Sequence, residues 1–253
     1  MKAFMDLHTH TLAAGHAYST LLENIDAALE EGIRYLGMSE HGPITPGGPH
    51  EFYFGNYKVI PREYDREEKT GRVIPQAGGR LRLLCGVEAN IRDMDGTLDL
   101  EEQKMQTMDY AIASIHPFAY TAGSRKENTL ASVRAFQNPY VKILGHPDDG
   151  RFPLDYDELV REAKVAGIAL EVNNSSLHPK SARQGGRENI TDLLKACMKY
   201  DQAVIMGTDS HMCFSIGKFD EAERLMRELE FPAELVLNYD PENIRKLINI
   251  TLD

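Results

Sequence analysis

Residues 3–41, AFMDLHTHTLAAGHAYSTLLENIDAALEEGIRYLGMSEH, decide the fold class. A short apolar run, Ala3 to Leu7, opens the stretch. Ser19 or Thr20 then stands ready to cap a helix whose apolar positions are Leu21, Leu22, Ile25, Ala28 and Leu29, and Gly32 ends it. A second apolar run follows at Arg34 to Met38. The stretch therefore reads as strand, helix, strand.

The same order recurs outward from it. Apolar runs lie at Leu81 to Val87, Tyr110 to Ile115, Val141 to Leu144, Ile168 to Val172 and Ala203 to Met206, which makes seven strands. Several lack polar alternation, as expected of parallel strands covered on both faces. Helical patterns fill the gaps near Thr129 to Phe136, Tyr156 to Ala166, Ile190 to Tyr200 and Asp220 to Leu229. Seven such units favour closure into an α/β barrel over an open doubly wound sheet, which stays the alternative. The 253 residues match one barrel domain spanning 1–253. Residues 42–79, rich in Gly, Pro and Tyr, read as an irregular insert or lid with a weak helical signal around Asn56 to Glu68.

Composition excludes several function classes. A formal charge of −11 without a Lys/Arg cluster argues against an extended nucleic-acid surface. No apolar run approaches the length that spans a bilayer, and no cleavable signal pattern is present, so the chain is expected to be cytoplasmic. Cys85, Cys197 and Cys213 are scattered, which indicates neither a disulfide framework nor a thiolate zinc site.

The residues that follow the apolar runs carry the chemistry. They are His8 and His10, His41, Glu88, His116, His146, Asn173, and Asp209 with His211, and His16 lies in the loop just beyond the first strand. Strand residues two apart point to one side, so His8-x-His10 and Asp209-x-His211 can each offer two ligands to one space. Active sites of barrels are built at these C-terminal strand ends. One such histidine is more often an ordinary loop or core residue, but seven histidines and two carboxylates in equivalent places point to a metal site. Imidazole and carboxylate without thiolate suit zinc, iron or manganese. Nine ligands suit two or three ions, with Glu88 bridging, and a water acidified by the ions as the nucleophile. Glu88 and Asp209 are accordingly the candidates for bridging metals or positioning that water. Asp6 is a candidate to orient an imidazole from behind, or to bond a loop amide. Arg183 and Arg187 are candidate phosphate contacts. His50, His178 and the turn-like Asp148-Asp149 pair fall outside the pattern.

The strings Asp6-Leu7-His8-Thr9-His10, Ser39-Glu40-His41-Gly42, Gly86-Val87-Glu88, Ser114-Ile115-His116, Gly145-His146-Pro147 and Thr208-Asp209-Ser210-His211 resemble the ordered motifs of the PHP (polymerase and histidinol phosphatase) superfamily. Gly15 to Thr20, Glu88-Ala89-Asn90-Ile91 and Glu171 to Ser176 look most like its YcdX-like phosphatases. The resemblance implies a distorted, TIM-barrel-like (β/α) barrel of seven strands with a trinuclear site, usually of zinc. It implies that His8, His10, Glu88 and Asp209 hold one ion, Glu88, His116 and His146 a second, and His16, His41 and His211 a third. Glu40 stands where the family commonly has Asp. The activity implied is hydrolysis of phosphate monoesters on a small phosphorylated metabolite. Histidinol phosphate or a phosphodiester as substrate is the first alternative, and a metal-binding module without turnover the second.

Overall fold

In the computed structural model, which describes residues 1–248, strand β1 (Met5–Asp6) leads through helix α1 (Leu21–Glu31) to β2 (Tyr35–His41). Thr20, not Ser19, is the cap: its hydroxyl accepts from the Glu23 amide while the Glu23 carboxylate accepts from the Thr20 amide, and Gly32 ends the helix with φ 73°. Strands β3 (Glu63–Arg66) and β4 (Val73–Pro75) follow, then β5 (Leu81–Asn90). The short α2 (Glu102–Met105) precedes β6 (Tyr110–Ser114), and α3 (Arg125–Ala135) leads to β7 (Val141–Leu144). The remaining elements are α4 (Tyr156–Ala166), β8 (Ala169–Asn173), α5 (Gly186–Tyr200), β9 (Val204–Gly207), α6 (Asp220–Glu228) and α7 (Asn243–Leu247).

Seven strands pair in parallel in the order β1-β2-β5-β6-β7-β8-β9. The first and last meet at one parallel bridge between Thr9 and Ser210, with His10 N–H donating to the Ser210 carbonyl at 2.9 Å. The result is a nearly closed α/β barrel, distorted where the register slips between Ala111 and Ile112. All seven expected strands are present, within one to three residues at their ends. Among the described residues no helix is long and apolar enough to cross a membrane.

The insert is the main departure from expectation. The stretch from Asn56 to Glu68 is helical only at its start, where a 3-10 helix over Glu51–Val59 ends, and it continues into β3, which pairs antiparallel with both β4 and β5. Phe54 and Tyr57 are fully buried in the outer core, and the Tyr57 hydroxyl donates to the Gly86 carbonyl at 3.1 Å. Two parallel neighbours need a crossover between them. Between β2 and β5 these residues supply it, in the place where the other units use a helix.

Strand parity divides the interior into two cores. Outward-facing residues such as Leu83, Cys85, Val87, Leu170, Val172, Val204 and Met206 pack beneath the helices. Inward-facing Met5, Tyr35, Leu84, Ile112, Ile143, Ala169 and Ile205 fill the barrel floor, together with Ile244 and Leu247 of α7. Above the floor, Tyr110 crosses the barrel and donates to the Leu7 carbonyl at 2.5 Å. Gly37 and Gly86 make room for it, since a Cβ on Gly37 would lie 2.0 Å from the Tyr110 hydroxyl. The inward positions then turn polar toward the strand ends: Leu84, Gly86, Glu88 on β5; Ala169, Glu171, Asn173 on β8; Ile205, Gly207, Asp209 from β9.

Candidate metal centre

Glu88 sits at the middle of the polar layer, fully buried on β5. Its Oε2 faces His8 Nε2 at 3.4 Å, His10 Nε2 at 3.6 Å and His41 Nδ1 at 2.6 Å. Its Oε1 faces His146 Nε2 at 2.8 Å and His116 Nε2 at 3.4 Å. Asp209 Oδ1 lies 3.2 Å from His10 Nε2 and 3.6 Å from His8 Nε2. His16 and His211 form the outer end, their Nε2 atoms 3.0 Å apart, and the His16 and His41 rings stack at 4.9 Å. All nine residues read as ligands thus converge on one space. Three tight groupings of donor atoms occur there: His8, His10 and Glu88; His41, Glu88 and His116; and His10, His41 and His211. The last two differ from the sequence reading, which has His146 in place of His41 in the second trio and His16 in place of His10 in the third; His16 is adjacent but more exposed.

Several buried donors in this cluster have no hydrogen-bond partner: His8 Nε2, both nitrogens of His10 and of His41, and Glu88 Oε2. The contact of His41 with Glu88 is close but misaligned for a hydrogen bond. Buried polar atoms are otherwise almost always paired, so a cluster of orphans with lone pairs aimed at one another fits a group of divalent cations. Burial opposes charge on His8, yet Glu171, Glu88 and Asp209 together hold its pKa well above the imidazole range. Burial likewise opposes charge on Glu88, but His41, His8 and His116 hold it well below the carboxylate range. His10 and His116 are pushed well below the imidazole range, chiefly by burial, and a cation at the centre would take the place of the proton on His8.

Backbone strain marks the same place. Among the described residues, four non-glycine residues have positive φ, and two of them are His146 (28°) and Asp209 (51°). Such conformations cost free energy and cluster at functional sites. The His146 amide is fixed by a 2.7 Å bond to Glu171 Oε2.

The residues behind the cluster were largely missed from sequence. Glu171 Oε1 lies 2.7 Å from His8 Nδ1, and Glu171 Oε2 also accepts from Asn173 at 3.1 Å. Asp6 contacts no imidazole; its carboxylate accepts from the Thr208 hydroxyl at 2.6 Å and from the Thr208 and Gly217 amides, which braces the segment entering Asp209. Of the two readings of Asp6, the loop-amide one describes it. Asn90 Oδ1 meets His116 Nδ1 at 2.7 Å, while Asn90 Nδ2 donates to Asp99 at 2.7 Å and to Thr45 at 3.0 Å. Glu40 accepts from the Thr11 amide at 3.1 Å, holding the loop after His10, and burial raises its carboxyl to about 7. The signal for Glu171 was available: a carboxylate inside the apolar run Ala169-Leu170-Glu171-Val172, in phase with Asn173, has to face the barrel interior.

The two arginines separate. Arg183, only 16% exposed, donates to Asp209 Oδ2 at 2.7 Å, to Asn173 Oδ1 at 3.3 Å and to Ser176 Oγ at 3.2 Å, beside the cluster. Arg187 is exposed and paired with Glu228, which is none of the nine residues. Asp148 is buried with both oxygens unpartnered, and burial raises its carboxyl to about 6, while Asp149 pairs with Arg151. His50 and His178 each cap a local turn, accepting from the Phe52 and Lys180 amides. A separate cleft of about 580 Å³ between α4 and α5 shares none of the nine residues, and Lys199 and Asp157 on its wall pair with each other at 2.8 Å.

A nearly closed parallel barrel with histidines and carboxylates at its strand ends defines the class, that of barrel proteins built around a metal centre. The chain belongs to the PHP domain family, whose model matches residues 6–175. It is 41% identical to a probable phosphatase of Clostridium novyi over 96% of this chain and 93% of that one. It is 42% identical to a probable phosphatase of Clostridium acetobutylicum over the same shares. In structure it is similar to a histidinol phosphate phosphatase from Lactococcus lactis solved with zinc, L-histidinol and phosphate, with a TM-score of 0.60 and 19% identity over 92% of this chain and 95% of that one. That likeness concerns the fold.

Proposed function

We propose that the protein hydrolyses phosphate monoesters at a trinuclear centre. The observation that carries this reading is the ring of orphaned buried donors around Glu88, whose two oxygens face two different sets of histidines. His8, His10, Glu88 and Asp209 would hold one divalent ion, Glu88, His116 and His146 a second, and His16, His41 and His211 a third. Zinc suits the donor set best, with manganese or iron as alternatives. When bound, such ions supply Lewis acidity, acidifying a water and neutralising phosphoryl charge. The names of the curated relatives support the same reaction class.

The protein's own residues do the rest. Glu171 and Asn90 hold the Nδ1 faces of His8 and His116, so that each ring presents Nε2 to the centre. Asp209, gripped by Arg183 and Asn173, keeps its Oδ1 turned toward His8 and His10. Arg183, held beside the centre by Asp209, Asn173 and Ser176, is the cation placed to meet a phosphoryl oxygen. The substrate on this reading is a small phosphorylated metabolite, and the acidic protein meets its charge with the ions.

The test is metal analysis of protein purified without chelator, together with turnover on a panel of phosphate monoesters. Glu88→Gln is expected to lower turnover at least 1,000-fold, on the scale of about 4 kcal/mol of lost transition-state stabilisation, while the protein stays folded by circular dichroism. Protein with its full metal complement that leaves every monoester intact, or a fully active Glu88→Gln, refutes the reading.

A further inference from the structure

Phe118 lies flat against His116, with ring centroids 5.1 Å apart and planes 9° apart, yet 43% of it is exposed. It is not alone. Tyr18, Phe52, Phe118 and Phe214 are the exposed aromatic residues among the described residues, and three of the four come two or three positions after a histidine of the centre: His16, His116 and His211. Exposed rings scattered singly need no explanation, but three that each follow a histidine of the centre within three positions do.

The backbone places them on two sides of the centre. The Tyr18 amide donates to the His211 carbonyl at 2.9 Å and the Cys213 amide to Ser19 Oγ at 2.8 Å, so the loops carrying Tyr18 (74% exposed) and Phe214 (72% exposed) run side by side. Phe118 belongs to the His116 side. His41, with its ring 5.5 Å from His116 and 4.9 Å from His16, stands between them. Phe118 has one face against His116 and is otherwise open, while Tyr18 and Phe214 are mostly exposed.

We propose that these rings are the binding face for the organic part of the substrate, and that the substrate is a phosphate monoester whose alcohol carries a flat aromatic group. The proposal rests on the phosphatase reading above. With the phosphoryl group at the centre, the ester oxygen leads outward and the attached group lies along Phe118. Stacking on that face favours flat groups over compact polyols.

The experiment compares 1-naphthyl phosphate with glycerol 3-phosphate on the metal-loaded protein, its Phe118→Ala variant and its Phe118→Trp variant. In Phe118→Ala the ratio of kcat/KM for the naphthyl ester over the glycerol ester falls about tenfold, mostly through KM, as expected for one lost stacking contact. Phe118→Trp restores the ratio. A ratio that stays at the wild-type value in Phe118→Ala overturns the proposal while leaving the phosphatase reading intact. Binding gives a second readout that needs no turnover: by calorimetry, phenylphosphonate is expected to bind about tenfold more tightly than methylphosphonate to the wild type, and to lose that margin in Phe118→Ala. Equal affinities of the two phosphonates for the wild type overturn the proposal even in a protein that hydrolyses nothing.

Discussion

Glu171 shows how much of the centre depends on residues that carry no ligand atom. One carboxylate fixes the His8 ring, the His146 amide and the Asn173 side chain, and it fits only because position 207 is glycine. A Cβ there would stand 1.8 Å from Glu171 Oε1 and 3.1 Å from His8 Cβ. Glu171→Gln therefore keeps the shape and removes the acceptor charge, and metal affinity is expected to fall about 10- to 100-fold. Gly207→Ala is expected to do the same by displacing the carboxylate. Titration calorimetry with zinc reads both variants, and wild-type affinity in either would show that His8 needs no support from behind. The ligands themselves were legible in the sequence because strand ends in a barrel share one fate. Their supports were not, since the partner of His8 lies 163 positions away and nothing local announces the pairing.

At the scale of elements, periodicity located the seven barrel strands and the larger helices with small end errors. It failed in the insert, where Tyr, Gly and Pro gave no clean period and the antiparallel pair β3–β4 is held by long-range contacts with β5. The insert's start is also coupled to the centre: Asp99 accepts from the Ile44 amide at 3.1 Å while holding Asn90, which holds His116. The burial of Phe54 and Tyr57 makes the segment part of the barrel wall. Phe54→Ala is expected to destabilise the fold by about 3–5 kcal/mol, measured as a shift in the urea midpoint at constant m. A cost below about 1 kcal/mol would be that of a loosely attached lid.

At the scale of the whole molecule, the centre gathers two carboxylates and seven histidines, with buried donor atoms left unpaired in an arrangement that suits cations. Occupied sites then stabilise the fold by mass action. An ion present at 100 times its Kd adds about 2.7 kcal/mol. Removing metal with a chelator is expected to lower the Tm by several degrees, and adding zinc back to restore it, while the apolar floor keeps the barrel folded at room temperature. Melting curves that coincide with and without chelator would count against metal binding altogether. The substrate was the least legible property: the proposed binding face is made of exposed rings, and exposure is written in tertiary structure alone.

The bridge between Thr9 and Ser210 joins the first strand to the last and lies directly beside His10 and Asp209. During synthesis, the first half of the ligand set therefore waits for the final strand to leave the ribosome. Until β9 emerges, β1 and β8 each present an unpaired edge, the kind that recruits a neighbouring chain. Docking of β9 covers both edges and brings the two halves of the candidate metal centre together in the same event, so a product truncated before β9 forfeits its ligand set and its protection against aggregation together.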